Sequence, residues 1–173
     1  VFETHTEIIR KGKASKPTEF GKMVKIQEAE NQVITDYEVY DERPSDSDLL
    51  VSSVERHEEC FGHVPHLVAA DAGFYSSANE KRLDEMGVKR ISVPNRNTQG
   101  ETRRRMQKQR WFKRGQRWRT GCEGRISVLK RRHGLDRCRY RGQEGMRCWV
   151  GLGVIADNLI SIGGWLAARP AEA

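Results

Sequence analysis

Paired cysteines are absent from this sequence. Its four cysteines, Cys60, Cys122, Cys138 and Cys148, stand far apart, and no two of them form a C-x-x-C pair. The usual metal-binding and redox spacings of cysteine are therefore missing. We also find no secretory signal peptide, so we expect reduced thiols in a cytosolic protein.

Motifs for nucleotide and ester chemistry are missing as well. The chain has no Walker-type Gly-Lys-Ser/Thr loop and no G-x-S-x-G, the signatures of P-loop NTPases and α/β hydrolases. The longest apolar run lies between Trp149 and Leu166, but Asp157, Asn158 and several glycines interrupt it. We expect a buried helix there rather than a membrane span.

The chain carries a large and uneven positive charge. Of its 173 residues, 31 are Lys or Arg and 24 are Asp or Glu, which gives a formal net charge of +7. Such an excess favours a polyanionic partner, and nucleic acid is the commonest. The cations concentrate in a segment without acidic residues, which holds Arg103, Arg104, Arg105, Lys108, Arg110, Lys113, Arg114, Arg117 and Arg119.

Three aromatic residues, Trp111, Phe112 and Trp118, are interleaved with these cations. Either they stack on nucleic-acid bases, or they form the apolar side of an amphipathic helix or hairpin. Contacts from Arg and Lys to phosphate need no particular spacing. The basic segment therefore indicates nucleic-acid binding without specifying how the partner is held.

Hydrophobic periodicity predicts an α/β chain. Alternating apolar residues predict a β-hairpin over residues 20–40. The apolar run at 66–71 is typical of a strand buried on both faces of a parallel sheet. With a helix at 78–86 and a strand at 88–94 it forms a β-α-β unit, which should cross over right-handed. The other predicted segments are a helix at 46–61, the basic segment at 101–119, a helix at 120–133 and a C-terminal helix at 145–166.

Asp71 stands at the carboxyl end of the predicted 66–71 strand, before a glycine-containing turn. In open α/β sheets, ligand sites lie outside the carboxyl ends of the strands, where a carboxylate can reach a metal ion. The alternative is that Asp71 only caps the following turn, as Asp often does. Sequence alone leaves both interpretations open.

A second candidate carboxylate is Glu123, in the most basic part of the chain. Arg119, Glu123 and Lys130 are four and seven residues apart, so a helix brings all three onto one face. That arrangement suits a metal ion held beside a phosphate backbone. Thr120-x-x-Glu123 is also a capping box, however, which accounts for the glutamate without any metal.

A set of His and Cys residues recurs every three positions at His57, Cys60, His63 and His66. Such spacing suggests zinc. A glycine and a proline within the set break any continuous helix, and no second pair of ligands stands at a paired spacing. We therefore do not expect a zinc site.

The pattern R-x3-E-x6-K formed by Arg119, Glu123 and Lys130 resembles the signature helix of bacterial insertion-sequence transposases of the DDE type. The D-x-G-F that begins at Asp71 is similar to the segment with that family's second catalytic aspartate. The phrases A-D-A-G-F-Y-S and G-C-E-G-R-I-S-V-L-K-R-R-H-G-L also resemble this group. With similar phrases elsewhere, the resemblance covers most of the chain.

The resemblance implies a ribonuclease H-like fold, a mixed sheet flanked by helices. It implies that Asp71 and Glu123 are catalytic and, with a further aspartate, hold two Mg²⁺ or Mn²⁺ ions for in-line displacement at a DNA phosphodiester. Arg119 and Lys130 would hold double-stranded transposon-end DNA. We expect a homo-oligomer on DNA in the bacterial cytoplasm, associated with the nucleoid and not with membranes. The other predicted DNA contacts are Arg103, Arg104, Arg105, Arg114, Arg117, Arg131 and Arg132.

Two departures from the family pattern bear on activity. The signature tyrosine falls at Gln116 here, and the first catalytic aspartate, which ends the central first strand of the family sheet, is not evident. Asp36, Asp41 and Asp46 lie within or after the second hairpin strand, so none is in the right place. We expect the carboxyl-terminal part of a transposase, truncated or a gene remnant, which lacks that central strand, binds DNA and cleaves poorly.

Two other functions fit the same residues. One is a DNA- or RNA-binding module without chemistry, which uses its basic segment. The other is a ribonuclease H-like nuclease unrelated to transposition. Metal-dependent cleavage separates the first from a transposase, and transfer of a 3′ end into target DNA separates the second.

Overall fold

The computed structural model describes residues 7–10 and 18–168. The chain is of mixed α/β class, as predicted, with short strands and longer helices. The elements are β1 (Glu7–Arg10), β2 (Thr18–Gly21), β3 (Val24–Glu28), β4 (Ile34–Val39), α1 (Leu49–Phe61), β5 (Leu67–Ala69), α2 (Ser77–Glu85), β6 (Arg90–Ser92), α3 (Glu101–Lys108), α4 (Arg110–Arg132) and α5 (Gly142–Ala167).

The chain divides into two compact units. One unit is continuous, Pro44–Arg125, and contains α1, β5, α2, β6, α3 and most of α4. The other combines Val1–Arg43 with Ile126–Ala173 and contains the first four strands, the end of α4 and α5. We call them the central unit and the terminal unit.

The strands form three separate pairs. β1 and β2 are antiparallel, as are β3 and β4, which make a hairpin within the range predicted for one. β5 and β6 are parallel, with Val68 opposite Ile91 and α2 between them in sequence. The single mixed sheet that the resemblance implied is therefore not present among the described residues, where each strand has one partner and one open edge.

The central unit is built around the β5-α2-β6 crossover. Ser76 begins α2 by accepting a hydrogen bond from the Asn79 N–H at 3.0 Å, and Gly62 ends α1 in the left-handed conformation. The crossover and α1 enclose an apolar core, which fixes the carboxyl ends of the two parallel strands. The buried core residues are Leu50, Val54, Leu83, Val88, Ile91 and Val93.

The prediction that a helix begins at Thr120 is wrong. α4 runs without interruption from Arg110, so the second half of the basic segment and the signature segment form one helix. The Thr120 hydroxyl donates a hydrogen bond of 3.0 Å to the Gln116 carbonyl, one turn earlier in the same helix. Thr120 is therefore not an N-cap, and no capping box accounts for Glu123.

In the terminal unit, α5 packs on the β3–β4 hairpin with one face. Two polar residues interrupt its apolar run, and each makes a different contact. Asn158 exchanges two hydrogen bonds of 2.8 Å with the Ile34 backbone. Asp157 is buried and lies 3.2 Å from the His133 ring nitrogen Nε2. Both residues thus hold α5 in place within the unit.

The expectation that α5 is buried is wrong for its outer face. The described hairpin covers only one side, and the exposed apolar residues of the other side are Leu152, Ile155, Leu159, Ile160, Ile162, Trp165 and Leu166. In the described part of the chain, α5 is the one helix long and apolar enough to cross a membrane. That criterion rests on length and composition alone, and core helices of water-soluble proteins also meet it.

Candidate metal and nucleic-acid site

Asp71 follows β5 and begins a one-turn helix, Ala72–Phe74. Its Oδ1 accepts a hydrogen bond from the Ala72 N–H at 3.0 Å, so Asp71 does cap the turn. Its second oxygen, Oδ2, accepts a hydrogen bond of 2.9 Å from Arg119 Nη2. Capping and a role in a charged site are therefore compatible, because each uses a different oxygen of one carboxylate.

A single guanidinium joins the two predicted catalytic carboxylates. Arg119 Nη2 lies 2.9 Å from Asp71 Oδ2, and Arg119 Nη1 lies 3.1 Å from Glu123 Oε1. The Arg119 side chain is 26% exposed, whereas those of Asp71 and Glu123 are 43% and 60% exposed. A second cation, Arg96, approaches Asp71 Oδ1 to 3.9 Å. Two carboxylates distant in sequence thus share one cation at the solvent-accessible end of β5.

A glycine lets α4 come close enough to β6 to form this cluster. A Cβ atom at Gly115 would lie 2.7 Å from the Ser92 Cβ and 2.8 Å from the Ser92 Oγ. Ser92 is fully buried, and its hydroxyl donates a hydrogen bond of 2.9 Å to the Phe112 carbonyl. Only a residue without a side chain fits there. The close packing places Arg119, one turn further along α4, beside Asp71.

Gln116 occupies the position of the family's signature tyrosine. Its side-chain amide nitrogen donates to the Ala70 carbonyl at 3.3 Å and lies 3.2 Å from the Ser92 Oγ. It also donates to the Ser92 carbonyl. The sequence shows that glutamine replaces the signature tyrosine, but it gives no sign of these hydrogen bonds. Gln116 ties the carboxyl ends of both parallel strands to α4, next to Asp71.

Arg103, a predicted DNA contact, faces inward instead. Its side chain is only 13% exposed and donates hydrogen bonds to Glu80 Oε1 and, at 2.7 Å, to the Val93 carbonyl. Its guanidinium also lies 4.9 Å from the centre of the Tyr75 ring. These contacts hold α3 against the core of the central unit, so we remove Arg103 from the proposed DNA-binding set.

The other predicted DNA contacts lie at the surface. Arg104 bonds to the Thr98 carbonyl and the Gln99 side chain, and Arg105 pairs with Glu101. Arg114 and Arg117 are exposed on α4 within the central unit. Three more belong to the terminal unit and are exposed at the end of α4: Lys130, Arg131 and Arg132.

The described residues contain no group of three or more His, Cys, Asp or Glu side chains arranged to hold a metal. The set of His and Cys residues at 57–66 makes ring contacts instead, with the His57 ring 4.7 Å from Phe61 and 5.7 Å from His63. Burial, and then the neighbouring His63, lower the pKa of His57 below its ordinary value of 6.5. All four cysteines are free.

The family comparison matches the part of the chain that holds the helical half of this cluster. Residues 81–162 match the model of the transposase DDE domain. This segment, just under half of the chain, is therefore similar to part of a transposase DDE domain. The matched segment includes Arg119, Glu123 and Lys130, while Asp71 precedes it and joins the site through the ion pair with Arg119. Neither a curated protein nor a solved structure matches the chain.

Proposed function

We propose that this chain supplies two catalytic carboxylates, Asp71 and Glu123, of an insertion-sequence transposase that cuts and joins DNA. The observation that carries the proposal is the sharing of Arg119 by these two side chains, at 2.9 and 3.1 Å. That both carboxylates reach one cation supports a divalent metal ion shared between them. They also lie outside the carboxyl end of a parallel strand, where α/β sheets bind ligands.

The chemistry of the donors fits Mg²⁺ or Mn²⁺. Both are hard cations that prefer carboxylate oxygens, and the side chains of Asp71 and Glu123 are partly exposed to solvent. Such ions, when bound, would activate water or a 3′-hydroxyl and stabilise the leaving oxygen. Arg119 would then be released from the carboxylates and could hold a DNA phosphate, a task we also assign to Lys130.

The proposal includes a ribonuclease H-like fold that is incomplete among the described residues. The parallel β5–β6 pair, its crossover helix and the β3–β4 hairpin support it, since that fold combines such pairs in one mixed sheet. The first strand and its aspartate would come from outside the described residues. With two carboxylates in place of three, we expect the chain alone to bind DNA but to cleave it poorly. Its partners would be transposon ends, target DNA and further copies of itself, in the bacterial cytoplasm.

A nicking and strand-transfer assay tests this function. The purified chain is mixed with a duplex that carries the element's own ends, with and without Mn²⁺, beside the variant Glu123→Gln. We expect the duplex to be bound, with cleavage near background. Efficient cleavage that Asp71→Asn abolishes would contradict the incomplete site. Failure to bind any duplex would contradict a transposase function.

One observation favours a second candidate, a nucleic-acid-binding module without chemistry. Arg119 and Arg96 together already balance the charge of both carboxylates, and no third carboxylate joins them among the described residues. In such a module the ion pairs of Arg119 with Asp71 and Glu123 would only stabilise the packing of α4 against the end of β5. The two candidates differ in metal binding, because a transposase site requires a divalent ion such as Mn²⁺ and a purely structural ion-pair cluster does not.

A further inference from the structure

The central unit contains an open cavity of about 780 Å³ at the carboxyl end of β6. Pro94 and Asn95, which follow that strand, form one side, and residues of α3 and α4 form the others. Two lining residues also belong to the neighbourhood of Asp71: Arg96 approaches its carboxylate, and Gln116 ties down the strand ends beside it. The cavity therefore adjoins the carboxylate site through these two residues.

The charge of the cavity selects an anion. Four of its lining residues are cations, Arg96, Arg104, Lys113 and Arg117, and none of the lining residues is acidic. Arg104 is engaged by the Thr98 carbonyl and the Gln99 side chain. The other three are exposed, and Arg96 reaches an acidic group only at 3.9 Å.

The shape and the remaining lining narrow the choice of anion. Pro94 and Phe112 provide an apolar floor between the cations, and amide side chains such as Gln107 stand at the wall. A volume of this size corresponds to a cube roughly 9 Å on a side, narrower than the about 12 Å major groove of B-DNA alone. A double helix does not enter, whereas one strand, with alternating phosphates and flat bases, has matching charge and width.

We propose that this cavity binds an unpaired DNA strand that continues from the phosphodiester at the carboxylates. Arg96, Lys113 and Arg117 contact its phosphates, and its bases lie toward the floor formed by Pro94 and Phe112. The inference rests on the proposed function, because that function places a DNA strand at Asp71. It adds a surface that the signature helix alone did not indicate, with Arg96 and Lys113 as new contacts.

The test compares two double variants with equal loss of charge. Lys113→Gln/Arg117→Gln alters the cavity. Lys81→Gln/Arg82→Gln is the matched control, since both of its residues are exposed on α2, in the same unit. Binding of a fluorescein-labelled single strand of twelve nucleotides, and of a blunt duplex of the same sequence, is measured by anisotropy over a range of NaCl concentrations. Far-UV circular dichroism checks that both variants remain folded.

We expect the cavity variant to lose about tenfold in affinity for the single strand at low salt. The slope of log K against log salt should fall by about 1.4, the value for two phosphate contacts on a single strand. The affinity of the cavity variant for the duplex should fall by less than its affinity for the single strand. The affinity of the control variant should stay within about twofold of that of the original chain.

Two results would overturn the assignment. One is equal affinity of the two double variants for the single strand. The other is that the cavity variant loses the same affinity for the single strand as for the duplex, which would make Lys113 and Arg117 general phosphate contacts. A failure of the proposed function looks different, because the original chain would then bind no duplex, or would bind DNA but no Mn²⁺ at Asp71 and Glu123.

Discussion

Replacing Gly115 with alanine should destabilise the protein, although the same replacement elsewhere in α4 should stabilise it. The added methyl group would lie 2.7 Å from the Ser92 Cβ, whereas carbon atoms in good contact are about 3.5–4.0 Å apart. Ser92 cannot move aside easily, because it is fully buried and bonded to the Phe112 carbonyl. The helix would have to move away from β6 by about 1 Å.

The size of the effect follows from opposing contributions. Alanine in place of glycine favours a helix by about 1 kcal/mol. Overpacking of a tight contact costs about 1–3 kcal/mol, and weakening of the Ser92 hydrogen bond costs about 1 kcal/mol more. We therefore expect Gly115→Ala to lower the free energy of unfolding by about 1–3 kcal/mol. For Gly124→Ala, where no atom lies within 4 Å of the new methyl group, only the favourable helix contribution of about 1 kcal/mol remains.

Thermal unfolding followed by circular dichroism measures both variants side by side. One kcal/mol corresponds to about 2–4 °C in a chain of this size, so the two melting temperatures should move in opposite directions. Hydrogen exchange should show faster opening of the first half of α4 in Gly115→Ala. Equal stabilisation by the two substitutions would refute the close packing of α4 on β6, and with it the placement of Arg119 beside Asp71.

Three further predictions concern single side chains. Because burial and His63 lower the pKa of His57, the unfolded chain binds more protons below pH 6.5, so stability should fall as the pH drops from 6.5 through the lowered pKa. His57→Gln should flatten that part of a curve of urea midpoints against pH. Asp157→Ala should cost about 1–3 kcal/mol in urea unfolding, because it leaves the His133 ring nitrogen Nε2 buried without its hydrogen-bond partner. Arg103→Ala should cost about 2–3 kcal/mol in the same assay yet leave DNA affinity in a gel shift unchanged, since its guanidinium is directed inward.

Local sequence patterns predicted the strands and helices better than the contacts between them. The apolar run before Asp71 and the alternation in the hairpin depend only on neighbours in sequence, so the periodicity of side chains reports them. The start of α4 is different. Thr120 and Glu123 satisfy the capping-box pattern, but packing of Phe112 and Gly115 on β6 extends the helix through that point.

The sequence predicted which carboxylates belong to the candidate site, but it did not predict how they are connected. Asp71 and Glu123 follow from a strand end and a helical spacing, whereas the bridge through Arg119 joins residues 48 positions apart. Gln116 gave only a weak signal, an amide where an aromatic residue was expected. The outer face of α5 shows the converse limit: composition indicated burial, and the described hairpin is wide enough to cover only one side.

Binding of Mn²⁺ is the most direct test of the central claim, that Asp71 and Glu123 together hold a divalent metal ion. Titration followed by electron paramagnetic resonance counts free Mn²⁺ and needs no catalysis. The account predicts that Asp71→Asn and Glu123→Gln each weaken binding by about tenfold or more, while Glu101→Gln, an exposed glutamate paired with Arg105 on α3, leaves it unchanged. Equal Mn²⁺ binding by the original chain and all three variants would contradict it.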